Sequence, residues 1–190
     1  GPLAVCVGRL CRQKGQDVLL AAWPAVRPRV PQARLVLVGD GPTQSDLSAA
    51  SGEGLDLVGT RDDIPDWLAA ADVVVAPSRW EGMALTLLEA MATGRSVVAT
   101  EVAGAREALG DEAGRIVPVE AVPELVDAVV ERLRDPDLAA DEGRAGRRRA
   151  EQFHDVRTAN GRIVALYGEI LGRPVDHAGS AETAALHLTP

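Results

Sequence analysis

Six short apolar runs, each followed by a turn and a helical pattern, constrain this chain more than any other feature. The runs are Leu3–Val7, Leu35–Val38, Leu55–Val58, Val73–Ala76, Ser96–Thr100 and Arg115–Val117. Most show no alternation of apolar and polar residues, which marks strands buried on both faces, as in a parallel sheet. Between them the apolar spacing switches to helical. Helices are expected at Gln16–Arg29, with a kink or early stop at Pro24, then at Gln44–Ala50, Ile64–Ala71, a stretch ending at Gly94, and Gly104–Leu109. Strands alternating with helices predict an α/β fold, a doubly wound, Rossmann-like six-stranded parallel sheet. After Pro118 the strands stop. Helices are expected at Val122–Leu133, Pro136–Gln152 and Val156–Leu171, and residues 172–190 read as a loose tail.

In such a sheet, ligands bind beyond the carboxyl ends of the strands. Two loops there carry chemistry-bearing residues. The first, Gly8 to Gly15, follows the first strand and contains Arg9, Arg12 and Lys14. It lacks Gly-x-Gly-x-x-Gly, and its Lys precedes Gly15 where a P-loop needs Gly-Lys-Ser/Thr, so neither common nucleotide loop is present. Arg and Lys at a strand-to-helix turn suit phosphate oxygens. A solvated basic loop is the competing reading, and it is favoured for Arg12. Lys14 is the single lysine beside 19 arginines, a bias that marks ammonium chemistry as one possible reason for its presence.

The second loop follows the fourth strand: Pro77-Ser78-Arg79-Trp80-Glu81-Gly82-Met83-Ala84, with a helix from Leu85. The amides of Met83 to Thr86 open the helix and can hold an anion. A helical projection puts Leu85, Leu87, Leu88, Met91 and Ala92 on one arc, with Glu89 at its margin, partly desolvated and suited to ribose hydroxyls. A polar-face Glu89 and a solvated Glu81 remain open as alternatives. Carboxylates beside an anion site make sense together if the ligand has both a diphosphate and hydroxyl-rich sugars.

Other chemistries fit poorly. The net charge of −8 argues against nucleic acid as a general partner. No apolar run approaches the length of a membrane helix. Cys6 and Cys11 make a poor disulfide pair, so a reduced, cytoplasmic setting is the default. Asp135-Pro136-Asp137 has the form of a metal motif, but Asp135 as N-cap before Pro136 explains it better. His154, His177 and His187 have no clustered acids or cysteines, so no metal site is expected. Arg144 to Arg149 reads as a solvated basic run.

Several segments together resemble one family. Val7-Gly8-Arg9-Leu10 with Lys14-Gly15, Leu37-Val38-Gly39-Asp40-Gly41-Pro42, Ala71 to Ser78, Glu81-x7-Glu89, Gly94 to Thr100 and Gly104-Ala105-Arg106-Glu107 occur in the order found in glycosyltransferase family four. The chain is similar to the C-terminal, donor-binding domain of these retaining GT-B enzymes over residues 3–171. Met83-Ala84 stands where the family usually has Phe-Gly, in the sugar-facing loop, and Ser96 where it usually has Pro.

The resemblance implies a UDP- or GDP-sugar donor as substrate, with no cofactor and no metal. It implies that Arg9 and Lys14 bind the diphosphate and neutralise the leaving group. Glu81 would bond the donor sugar, within the loop that includes Gly82, and Glu89 the ribose. The amides of Met83 and Ala84 would face the sugar, and those of Leu85 and Thr86 the phosphates. The loop Gly59 to Asp62, with Thr60 and Arg61, would lie by the base. Transfer would retain anomeric configuration by front-face attack, a phosphate oxygen taking the acceptor's proton. The resemblance also implies an N-terminal acceptor domain that this chain lacks, so the isolated domain is expected to bind donor and transfer nothing. A stand-alone nucleotide-sugar binding module or subunit is the alternative. An isomerase on the same fold would need added acid and base residues.

Overall fold

The computed structural model describes residues 1–82 and 85–172, the side chains of 156–159 excepted. The elements are β1 (Leu3–Val7), α1 (Gln16–Val26), β2 (Arg34–Val38), α2 (Gln44–Ala49), β3 (Leu55–Leu57), α3 (Ile64–Ala70), β4 (Val73–Ala76), α4 (Leu85–Ala92), β5 (Ser96–Thr100), α5 (Ala105–Leu109), β6 (Gly114–Val117), α6 (Val122–Arg134), α7 (Pro136–Phe153) and α8 (Val156–Leu171). A 3-10 turn at Arg12–Lys14 precedes α1. The tail expected at 172–190 falls almost wholly outside the described residues.

The strands form one sheet in the order β3-β2-β1-β4-β5-β6, and every pairing is parallel. The predicted doubly wound sheet is therefore present. Its register explains the apolar runs. Val5 pairs with Val36 on one side and Val74 on the other, and all three enter one apolar layer with Leu68, Leu87, Met91 and Leu109. Their neighbours Ala4, Cys6, Leu35, Leu37, Val73 and Val75 point the other way, into a layer with Leu19, Trp23, Val126 and Val129. Side chains alternate between faces, and both faces are covered, so successive positions of the central strands β1 and β4 are apolar.

The first helix continues through Pro24 and stops at Val26, three residues earlier than expected. Pro24 has no N–H for the helical ladder, and the helix runs only two residues beyond it. Asp135 caps α7 as expected: its Oδ1 accepts from the N–H of Leu138 at 2.9 Å.

The basic run on α7 is not simply solvated. Arg147 Nη1 donates to the carbonyl of Ala92 at 2.8 Å, and Arg149 donates to the carbonyls of Ala108 and Glu107, both at 2.7 Å. These carbonyls lie at the C-terminal ends of α4 and α5, where helices leave acceptors unfilled and carry partial negative charge. Arg144 fits the solvated reading and among the described residues pairs only with Asp141. The chain divides into two compact units, Gly1–Glu151 and Gln152–Pro190. The first holds the whole sheet. The described part of the second is chiefly α8, which displays Ile163, Leu166, Tyr167, Ile170 and Leu171 as exposed side chains.

Candidate active site

β1 and β4 are neighbours in the sheet, yet the chain leaves them in opposite directions, toward β2 and toward β5. The loops beyond their carboxyl ends therefore flank the topological switch point, where open α/β sheets bind ligands. These are the two loops singled out by sequence. Gly15 lets them touch. It sits in the left-handed region at φ 67°, and a Cβ there would lie 2.0 Å from the carbonyl oxygen of Pro77. The N–H of Arg79 donates to the carbonyl of Gln13 at 2.7 Å, adding a second tie.

At this junction Lys14 Nζ donates to Glu81 Oε1 at 2.7 Å, with side chains 25% and 6% exposed. Ser78 Oγ donates to the same oxygen at 2.7 Å. Among the described residues Glu81 Oε2 meets only the amide of Gln13, at 3.5 Å, which is too long for a strong bond. One carboxylate oxygen is thus anchored twice and the other retains acceptor capacity. Ser78 is in turn held from below, its carbonyl accepting from the hydroxyl of Thr100 on β5. Thr86, on the first turn of α4, lines the same small cavity as Lys14, Ser78 and Glu81, with Cys6 and Val7 at its floor. Burial pushes the Cys6 thiol up to about 12, against the pull of the Lys14 charge. Cys6 and Cys11 are both free thiols.

Arg9 is exposed. Its loop is fixed from within, since buried Gln16 donates from Nε2 to the Arg9 carbonyl at 3.0 Å. Glu89 departs from expectation: it is exposed rather than partly desolvated. The apolar arc is also narrower than projected, because Leu85 and Ala92 are exposed and only Leu87, Ala90 and Met91 of α4 are buried. Gly82 is exposed at the loop's outer end, and Met83 and Ala84 lie outside the described residues.

Thr60 and Arg61 sit two strands away, beyond β3. Thr60 Oγ1 donates to Asp40 Oδ2 at 2.6 Å, and the carbonyl of Asp40 accepts from the N–H of Leu10. Thr60 is thereby linked to the loop of Arg9. Arg61 forms a fork with Asp63, both bonds 2.8 Å, and lies over the Trp67 ring at 6.0 Å. Its guanidinium faces its own carboxylate, not the Lys14–Glu81 pair.

The fork with Arg61 lowers the Asp63 carboxyl to about 2. A carboxyl depressed in the folded state adds stability above its unfolded value, near 4, and that contribution vanishes as pH falls through about 2. An acid titration followed by circular dichroism is expected to show Asp63→Asn losing less stability than the parent chain between roughly pH 4 and 2.

Sequence reasoning assigned no role to Ser78, Gln13, Gln16 or Thr100. Ser78 lies in the second loop, and its hydroxyl is the available signal. A wider groove of about 750 Å³ lies elsewhere, by α1, β6 and α6. Arg29, Arg115 and Arg134 there alternate with Glu124, Asp127 and Glu131, so it favours neither sign of ligand. Among the described residues no helix is long and apolar enough to cross a membrane.

The doubly wound sheet, with a cation-carboxylate pair at its switch point, defines a Rossmann-like domain. The family model described as "Glycosyl transferases group 1" matches residues 1–135, and the chain belongs to that family. It is 35% identical over 180 residues to the lipopolysaccharide core biosynthesis mannosyltransferase LpsB of Rhizobium meliloti, covering 87% of this chain and 51% of the relative. It is 37% identical over 180 residues to a GDP-mannose-dependent α-(1-6)-phosphatidylinositol monomannoside mannosyltransferase of Mycolicibacterium smegmatis, covering 87% and 47%. The crystal structure of Anabaena Alr3699/HepE in complex with UDP superposes with a TM-score of 0.81 at 27% identity, over 88% of this chain and 48% of that one. The fold is that of GT-B glycosyltransferases. The chain spans about half the length of these curated relatives.

Proposed function

We propose that this chain is the donor-binding half of a retaining glycosyltransferase of glycosyltransferase family four, which takes its sugar from a nucleoside-diphosphate sugar. The observation that carries the reading is the Lys14–Glu81 pair seated at the β1/β4 switch point of a group 1 glycosyltransferase fold. Lys14 and Arg9 supply the cations for the diphosphate. Their charge stabilises the leaving group as the bond to the anomeric carbon breaks. Glu81 Oε2, the less engaged carboxylate oxygen, accepts from a donor-sugar hydroxyl, while Ser78 keeps the carboxylate aimed. The amides of Leu85 and Thr86 open α4 toward the phosphates. Exposed Glu89 meets the ribose, and Thr60 and Arg61 flank the base.

Relatives that use GDP-mannose and a neighbour that holds UDP make these two nucleotides the first to test. The acceptor site belongs to a partner domain, which the twofold greater length of the relatives supports. Free Cys6 and Cys11 suit a cytoplasmic setting.

Titration calorimetry of the chain with UDP, GDP and their sugars is expected to show binding of one nucleotide. Lys14→Ala and Glu89→Ala should each weaken it about tenfold, the scale of one lost charge-assisted contact. Affinity unchanged in both variants overturns the site. The chain alone is expected to form no glycoside. In the whole enzyme, NMR of the product is expected to show retained configuration, and an inverted product overturns the mechanism.

A further inference from the structure

Arg79 lies between the two residues that define the second loop, directly after Ser78 and two before Glu81. Its guanidinium reaches three other segments. Nη1 donates to the Arg12 carbonyl and to Asp17 Oδ1, each at 2.8 Å, and Nη2 to Asp17 Oδ2 at 2.8 Å. Nε donates to Glu120 Oε1 at 2.6 Å. The side chain is only 13% exposed. Arg12 and Asp17 stand on either side of Lys14, so one rigid fork grips the Lys14 loop from both ends while its own backbone carries Glu81. A lysine cannot copy this, because its donors share one atom.

Glu120, in the turn between β6 and α6, is unusual by itself. It has a φ of 61°, the only positive value at a non-glycine among the described residues. That region is unfavourable for a residue with a Cβ, and it persists where surrounding contacts over-determine it. The bond to Arg79 is such a contact.

The geometry points to Arg79 as a positioning residue, which sets the separation of Lys14 and Glu81 by clamping the loop after β1 to the loop after β4, with Glu120 as its outer anchor. The catalytic meaning of the clamp rests on the donor-site reading above; the clamp itself does not. Isolated surface ion pairs contribute little. A four-bond fork at low exposure instead fixes geometry, which is what a site of two opposed charges requires.

The test uses Arg79→Gln, Arg79→Lys and Glu120→Gln in this chain, with two readouts. In amide hydrogen exchange, Arg79→Gln is expected to speed exchange at Lys14, Gly15, Trp80 and Glu81 about tenfold while the β4 and β5 amides hold, the pattern of a local opening. Arg79→Lys and Glu120→Gln should fall between. In calorimetry with UDP and GDP, Arg79→Gln should weaken binding about tenfold, on the scale of coupling within one hydrogen-bonded network, and add little in a Lys14→Ala background. Unchanged exchange in the loops overturns the clamp, and so does an affinity loss that adds in full to that of Lys14→Ala. A parent chain that binds neither nucleotide overturns the donor-site reading, and the exchange data then decide the clamp alone. If Arg79→Gln does not fold, Glu120→Gln, which leaves Asp17 and Arg12 engaged, decides it by the same two measurements.

Discussion

Gly15→Ala is expected to abolish nucleotide binding and to lower the thermal midpoint by about 10 °C. Two costs add. The left-handed backbone at φ 67° disfavours any residue with a Cβ by roughly 1–2 kcal/mol. The new carbon would also sit 2.0 Å from the Pro77 carbonyl oxygen, and the obstacle is backbone at the end of a buried strand, which cannot swing aside like a side chain. Forcing such an overlap costs roughly 1–3 kcal/mol more. For a chain of this size each kcal/mol moves the midpoint by about 2–4 °C. Relief can come only by parting the loop after β1 from the loop after β4, which pulls Lys14 from Glu81. Gly94→Ala, at the far end of α4, is the matched control. Gly94 has a similar φ of 70°, but a Cβ there meets nothing nearer than 3.8 Å, so it should show the backbone cost without the loss of ligand. A melting curve and a nucleotide titration on both variants check this. Equal behaviour of the two would show that the loop contact is irrelevant to the site.

The sheet was legible in the sequence because two-sided burial leaves a plain signature. Val73-Val74-Val75 has no polar residue because β4 has a covered layer on each side and a strand on each edge. The strand order came only with the structure, whereas the two loops of interest followed from the carboxyl-end rule. What sequence could not supply was anything tertiary. A helical projection gives the angle of Glu89 around α4, not the height of α4 above its neighbours. Leu85 is exposed in the structure although it lies on the apolar side of the projection. Similarly, Arg147 and Arg149 look solvated until the carbonyl ends of α4 and α5 are placed beside them. The supports of the site bridge long separations: Ser78 to Thr100, Arg79 to Glu120. No local pattern encodes such pairs, since hydroxyls and charges are common on any loop.

Ser96 is the sharpest case, and it carries the second large effect. The resemblance expects proline there, at the start of β5, and the sequence offers no reason for a serine. In the structure Ser96 is fully buried and donates to Glu142 Oε2 at 2.5 Å. Glu142 also receives a fork from Arg132, Nε at 2.9 Å and Nη2 at 2.6 Å. The Arg132 side chain is 4% exposed and that of Glu142 12%. Glu142→Ala therefore leaves Nε and Nη2 of a buried guanidinium without their acceptors, while Nη1 keeps Glu131 and the Ala128 carbonyl, and it also removes the acceptor of the Ser96 hydroxyl. Removing one member of a buried ion pair costs roughly 3–5 kcal/mol, a fall in the midpoint of about 6–20 °C for a chain of this size. The pair is not, for that reason, a net source of stability. Taking two charges out of water offsets most of their attraction, so the double variant Arg132→Met, Glu142→Leu should recover most of the loss, because no charge then remains buried. Arg144→Ala on the same helix breaks only the exposed pair with Asp141 and should cost less than about 1 kcal/mol. Chemical denaturation of the three variants orders them, and a double variant less stable than Glu142→Ala would show that packing, not the stranded charge, sets the penalty.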